Sequence, residues 1–177
     1  MARGIWGDQD RFKEVYWSMF DTYFAGDGAV MDEDGYMTVL GRVDDVLNVA
    51  GHRIGTMEVE SSLVDCLDVA EAAVVGVADD IKGQAILAFV TLKTGVDPSP
   101  SLQATLTQLV VDKIGPIARP KHIVFTPDLP KTRSGKIIRR LLKQIVAGEP
   151  IGDTTSLANY DIVTLLQDRF KQQVELA

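Results

Sequence analysis

Residues 72–77 read Ala-Ala-Val-Val-Gly-Val and residues 85–92 read Ala-Ile-Leu-Ala-Phe-Val-Thr-Leu, with the turn-like pair Asp79-Asp80 between them. These are two apolar, β-rich runs of strand length. Upstream, Thr56 can N-cap a helix with Glu58 and Glu60 in its first turn, where carboxylates favour the positive end of the dipole. Val59, Leu63, Cys66 and Leu67 then recur at helical spacing. Downstream, Ser99-Pro100 is a cap-plus-N1 signal for a helix with Leu102, Leu106, Leu109 and Val110 on its buried face, ending before Gly115-Pro116. Residues 123–125 read as a short strand. Residues 134–146 read as a last helix, with Ile137, Ile138, Leu141, Leu142 and Ile145 apolar and Lys136, Arg139, Arg140 and Lys143 on the other side. The order ββ-α-β-β-α-β-α predicts an α+β fold, helices packed on a short sheet.

The flanks differ in character. Residues 12–49 are rich in aromatic and β-branched residues, broken by turn signals at Ala25-Gly26-Asp27-Gly28 and Asp32-Glu33-Asp34-Gly35, which predict strands near residues 15–20, 29–31 and 36–40. Two or three short strands bury too little to stand alone, so this section reads as the end of a larger sheet. Residues 148–152 are linker-like, and Asn159 is a candidate cap for a terminal helix reaching about residue 174. Domain boundaries follow: residues 1–43, a β-rich remnant; 44–150, the small α+β domain; 151–177, a tail with a helix.

A chain of 177 residues with 46% apolar and 24% charged residues is ordinary globular material, which excludes disorder and fibres. One cysteine, Cys66, excludes an internal disulfide framework and fits a reducing compartment. No apolar run approaches the roughly 18 residues of a membrane span, and no signal-peptide pattern opens the chain. The formal net charge is −7, yet residues 119–143 hold eight basic side chains against Asp128 alone, a local +7. Nucleic-acid binding would want stacking aromatics among those cations, and the acidic remainder would repel a long polyanion, so no nucleic-acid partner is expected.

Within that block, Pro130-Lys131-Thr132-Arg133-Ser134-Gly135-Lys136 sets a glycine directly before a lysine at an expected helix start, with Ser134 as a cap. Free N–H groups and a cation suit an anion such as phosphate. It is not a Walker A loop, whose required positions hold Pro130 and Ile137. A basic, solvated helix face is the competing reading. A second cluster is Gly41-Arg42-Val43-Asp44-Asp45, followed by Val49-Ala50-Gly51-His52-Arg53. Arginine suits bidentate contact with phosphate or paired hydroxyls, and a turn carboxylate such as Asp27 can accept from a ribose diol; each alone is also an ordinary turn residue. Two histidines and one cysteine make a metal site improbable, and there is no nucleophile–base constellation.

Together, Tyr23 to Gly28, Asp32 to Tyr36, Gly41 to Asp45, Asn48 to Arg53, and Pro130 to Lys136 with Arg139-Arg140 resemble the C-terminal part of AMP-forming acetyl-CoA synthetases, within the adenylate-forming superfamily. The order and spacing agree from about residue 3 to residue 168. The resemblance implies an acetate–CoA ligase, which activates acetate with ATP to acetyl-adenylate and pyrophosphate, then passes the acetyl group to CoA. It implies that residues 1–43 end the N-terminal adenylation domain and that residues 44–150 are the mobile lid. Asp27 and Arg42 would hold the ribose hydroxyls, Arg53 would reach phosphate, and Lys136 would be the lysine required for adenylation. Asp44 would be the hinge, and Gly51 would line the CoA channel.

Several further expectations rest on the same resemblance. Ala25 and Ala50 stand where relatives often have Thr and Ser, and Val111 where an Arg helps bind CoA phosphate, with Lys113 as a weak substitute. ATP and CoA are substrates; Mg2+ ligands, the acyl pocket and the phosphate loop are expected in a missing N-terminal domain. The 177 residues correspond to roughly the last quarter of such enzymes, so the chain alone is expected to be inactive. A propionate–CoA ligase, or a non-catalytic lid whose Lys136 is acylated by an acetyltransferase and restored by a deacetylase, are the alternatives. A cytoplasmic location and no membrane partner are expected.

Overall fold

A computed structural model describes residues 3–43 and 45–175, which form two compact units, one within residues 1–44 and the other within 45–177. Asp44, the expected hinge, lies outside the described residues.

The first unit holds α1 (Gln9–Trp17) and the antiparallel pair β1 (Asp27–Met31) and β2 (Met37–Arg42). The strand expected over residues 15–20 is overturned: the chain is helical up to Trp17. The Asp8 carboxylate caps that helix by accepting the Arg11 N–H at 3.0 Å. Phe12 and Tyr16, one turn apart, bring their rings to 5.5 Å. A cap and an aromatic i,i+4 pair outweigh the β preference of the aromatic residues. The other two strands lie where the turn signals put them. Asp32 closes the turn between them, its Oδ1 accepting the N–H groups of Asp34 and Tyr36 at 3.1 and 2.8 Å. Phe12 is buried, whereas Val30, Met31, Tyr36, Met37 and Val39 are all more than half exposed.

The second unit begins with a tight hairpin, β3 (Val46–Val49) and β4 (His52–Gly55), then α2 (Thr56–Val64), β5 (Val69–Asp79), β6 (Gly83–Leu92) and α3 (Pro100–Ile114). A 3-10 turn (Pro116–Ala118), β7 (His122–Phe125), α4 (Arg139–Ala147) and α5 (Asp161–Phe170) complete it, with a π-helical turn over Lys171–Glu175. β5 runs antiparallel along one edge of β6. The other edge takes β7 in parallel, from Leu87 opposite His122 to Val90 opposite Phe125, and meets β3 where Val49 faces Gly83.

Helices cover both faces of this sheet. Val74, Ile86, Ala88 and Val90 pack with Val59 and Leu63 of α2 and Leu106 and Val110 of α3. Val75, Leu87, Phe89 and Val124 pack with Leu141, Leu142 and Ile145 of α4 and Ile162 and Leu166 of α5. A strand covered on both faces has no solvent side, which is why residues 72–77 and 85–92 are continuously apolar rather than alternating. The α+β class is borne out, as three layers.

Local details depart from the sequence reading. Gly55, not Thr56, is the N-cap position of α2; the Thr56 hydroxyl is buried and its backbone N–H donates to the Asp45 carbonyl at 3.1 Å. Leu67 is exposed, beyond the end of α2. Asn159 caps no helix with its side chain, and residues 151–175 supply Ile162, Val163, Leu166 and Phe170 to the core.

Candidate functional site

Residues 130–138 form a small hairpin rather than a helix start. Lys131 and Ile137 bridge antiparallel, Thr132 N–H donates to Lys136 O at 2.8 Å, and Ile138 N–H donates to Pro130 O at 2.8 Å. The expected helix from Ser134 therefore begins only at Arg139. The reason is Gly135: its φ of +83° is left-handed, incompatible with an α-helical turn, and its N–H closes the loop onto Thr132 O at 2.9 Å. Ser134 caps nothing; its hydroxyl sits 2.9 Å from the Thr132 hydroxyl, which accepts the Lys136 N–H at 3.1 Å. Lys136 and Arg133 are exposed, and neither side chain has an ion-pair or hydrogen-bond partner among the described residues.

Most of the basic block is spent inside the unit. Arg139 forms a two-pronged pair with buried Glu60, Nε at 3.0 Å and Nη2 at 2.5 Å from the carboxylate, whose Oε1 also accepts Val74 N–H at 2.8 Å. Burial opposes its charge, yet the Glu60 carboxylate more than offsets that and holds the Arg139 pKa above its ordinary value. Lys143 pairs with Asp45 at 3.2 Å and Lys121 with Asp79 at 2.9 Å. Lys131 is held between Glu71 (2.6 Å) and Asp128 (3.0 Å), and the hydrogen bond to Glu71 above all pushes its pKa up. Sequence reading did not assign these roles to Glu60 or Asn159, because each acts on residues far along the chain, and Asp128, though only three residues from Lys131, carries no motif. The solvated-helix-face reading fails for half-buried Arg139, while Arg133 and Lys136 at the hairpin, like exposed Arg119, have no side-chain partner among the described residues.

The second cluster is divided by the fold. Val49 and His52 pair directly, so Ala50-Gly51 is a two-residue turn, with φ of +49° and +84°. Those signs are those of a type I′ turn. Ala50 N–H donates to Lys82 O at 2.8 Å, anchoring this turn at the β5–β6 connection. Gly51 faces open space where a Cβ would stand, and Arg53 is exposed on β4. The Lys131 pair with Glu71 places the base of the lysine hairpin at the opposite end of β5. Lys113 is engaged by the Asp65 carboxylate, and Val111 is half-buried on α3.

In the first unit, Asp27 and Arg42 stand directly opposite each other across β1 and β2, both exposed. Arg42 Nη1 donates to Ala25 O at 2.9 Å, and its guanidinium lies 2.9–3.0 Å from where a Cβ on Gly26 would fall. Gly26 has φ +79°, a left-handed angle that reserves the position for glycine. The pair thus presents a carboxylate and a guanidinium side by side at a glycine turn. Among the described residues, no three His, Cys, Asp or Glu side chains gather as a metal site, and no helix is long and apolar enough to cross a membrane.

The second unit thus carries an exposed lysine hairpin on a helix-covered sheet, and the first a carboxylate–guanidinium pair across β1 and β2. Residues 58–136 match the AMP-binding enzyme C-terminal domain, the match ending on Lys136 itself. Over those residues the chain carries the C-terminal domain of AMP-binding enzymes. Its relatives are acetyl-CoA synthetases: it is 59% identical over 177 residues to that of Gemmatimonas aurantiaca and 52% identical over 178 residues to that of Escherichia coli. Those alignments cover 98% and 99% of this chain but 27% of each relative, so it spans about a quarter of their length. An anthranilate CoA ligase solved in complex with anthranoyl-AMP superposes with TM-score 0.72 at 33% identity, over 81% of this chain and 27% of that one. The acetoacetyl-CoA synthetase of Streptomyces lividans shares the fold at TM-score 0.80 and 20% identity, over 94% of this chain and 25% of that one.

Proposed function

We propose that this chain is the C-terminal part of an acetate–CoA ligase, and that Lys136 supplies the cation for the adenylation step. The observation that carries the reading is Lys136: an exposed ammonium with no internal partner among the described residues, on a hairpin closed by backbone hydrogen bonds. Attack of a carboxylate on the α-phosphate of ATP brings two anions together. A preorganised cation that bridges both lowers that barrier, by about 3–4 kcal/mol for one such contact.

In this reading Asp27 and Arg42 bind the ribose hydroxyls and Arg53 reaches phosphate. Gly51 lines the CoA channel, and Asp44 is the hinge about which the 44–150 lid turns to offer either Lys136 or the Gly51 turn. Their places at opposite ends of β5 suit a lid that presents one end per half-reaction. Lys113 reaches CoA phosphate only by leaving Asp65. ATP, acetate and CoA are the substrates. Mg2+ would be held by the N-terminal adenylation domain, whose other strands would also cover the exposed apolar residues of β1 and β2. On its own the chain is inactive, and the complete enzyme is cytoplasmic.

The test is a chimera in which this chain replaces the matching quarter of the Escherichia coli enzyme. Acetate-dependent ATP–pyrophosphate exchange is expected, and Lys136→Ala should cut it about 10²–10³-fold while acetyl transfer from supplied acetyl-adenylate to CoA persists. Unchanged exchange in Lys136→Ala refutes the assignment. The exposure of Lys136 also favours a second reading, reversible acylation that removes its charge. Incubation with a protein acetyltransferase and mass spectrometry at Lys136 checks it; no modification counts against it.

A further inference from the structure

Beyond the hairpin lies a segment to which the motifs assign nothing. Thr132 bridges antiparallel to Leu157, and Ala158 N–H donates to Lys131 O at 2.8 Å. Thr132 therefore lies between two partners: Leu157 on one side, and on the other Lys136, which it meets through its own N–H and through its hydroxyl. Asn159 locks the near side. Its Oδ1 accepts Lys131 N–H at 3.2 Å, and its Nδ2 donates to Asp128 Oδ2 at 2.7 Å and to Leu129 O at 2.9 Å. Asp128 also accepts Leu129 N–H and the Lys131 ammonium. Burial works against its ionisation, but these hydrogen bonds prevail and hold its pKa below the usual value. The segment is itself seated: Leu157 N–H returns to Thr154 O, and the Leu157 side chain packs on the core beneath α4 and α5.

We infer that residues 157–159 form a third strand under the lysine hairpin, and that Asn159 is a positioning residue for Lys136 in the adenylation half-reaction. The inference rests on the role proposed for Lys136. A lysine on a flexible stem can bridge carboxylate and phosphate only if its backbone is fixed, and a misplacement of about 1 Å costs on the order of 100-fold. Residues 157–159 fix it from outside the stretch matched as the AMP-binding enzyme C-terminal domain, which ends at residue 136.

Two measurements test this. In the chain itself, Asn159→Ala should raise hydrogen exchange at the Thr132, Lys136 and Ile138 amides about tenfold or more, leaving the β5–β6 amides unchanged. In the chimera, Asn159→Ala should lower ATP–pyrophosphate exchange about 10- to 100-fold, with acetyl transfer from acetyl-adenylate within about twofold of the parent. Asn159→Asp keeps the acceptor for Lys131 but sets a carboxylate against Asp128, so it should fall with the alanine variant. Ala158→Pro, which removes the N–H bound to Lys131 O, should reproduce the same split. Hairpin amides that keep their protection overturn the third strand. Equal loss in both half-reactions overturns the positioning role, because a merely structural residue would impair both. If Lys136→Ala leaves adenylation intact, the functional reading fails, and the exchange of the hairpin amides still judges the strand separately.

Discussion

Removing Arg139 should be the most damaging single truncation on the face of α4. Glu60 is 8% exposed, and its carboxylate has three donors: Val74 N–H and two nitrogens of Arg139. Arg139→Ala leaves a buried carboxylate with one backbone donor. Breaking a buried pair from one side costs about 3–5 kcal/mol, most of it the stranded charge. Glu60→Ala is milder, about 2–3 kcal/mol, because the Arg139 side chain is 21% exposed and its guanidinium can turn toward water. The double variant Glu60→Leu with Arg139→Leu strands neither charge and should cost less than Arg139→Ala alone. Urea unfolding of the chain reads all of these. With a slope of roughly 1–3 kcal/mol per molar, Arg139→Ala should lower the midpoint by at least about 1 M. A shift under about 0.3 M, or single-variant costs that simply add in a double-alanine cycle, would refute the claim that the pair is a coupled, buried unit.

Two further perturbations probe the sheet end that carries Gly51. Ala50 has a left-handed φ of +49°, which an alanine adopts at a cost of about 1 kcal/mol, so Ala50→Asn should raise Tm by about 2–4 °C in a thermal scan; no rise would contradict the turn assignment. Asp79 is held at a pKa of about 2, first by the Lys121 hydrogen bond and then by the Lys82 and Ile81 N–H groups, against an ordinary 3.8. A depressed carboxyl contributes stability that is present above its unfolded value and lost as pH falls toward its folded one. The gap in urea midpoint between the parent and Asp79→Asn should therefore be full above about pH 4 and vanish near pH 2. A gap independent of pH would show that the ion pair is not its source.

Some of the fold was legible because its signals are local. Ser99-Pro100 marked the start of α3, with the Ser99 hydroxyl accepting Leu102 N–H at 3.2 Å. The runs at 72–77 and 85–92 fell on β5 and β6. The errors share one cause, a local preference overruled by a partner or a backbone angle. Residues 15–17 were aromatic enough for a strand, but Asp8, outside that window, capped a helix through them. Ser134 looked like a cap, but Gly135 took a left-handed turn and delayed the helix to Arg139.

The sequence by itself determined the strand and helix order from residue 56 onward, the glycine turns at Gly26 and Gly51, and the family motifs that mark Asp27, Arg42, Arg53 and Lys136. It also showed a +7 block, and from one dimension that block had two readings. Only the tertiary structure separated its members. Glu60, Glu71, Asp79 and Asp45, drawn from the acidic stretch before it, neutralise Arg139, Lys131, Lys121 and Lys143. Arg133 and Lys136 at the hairpin, like exposed Arg119, remain unpaired among the described residues. Ion pairing depends on distance in space, which strand pairing and helix packing set across separations of up to 98 residues. Composition counts charges and cannot say which of them are left over.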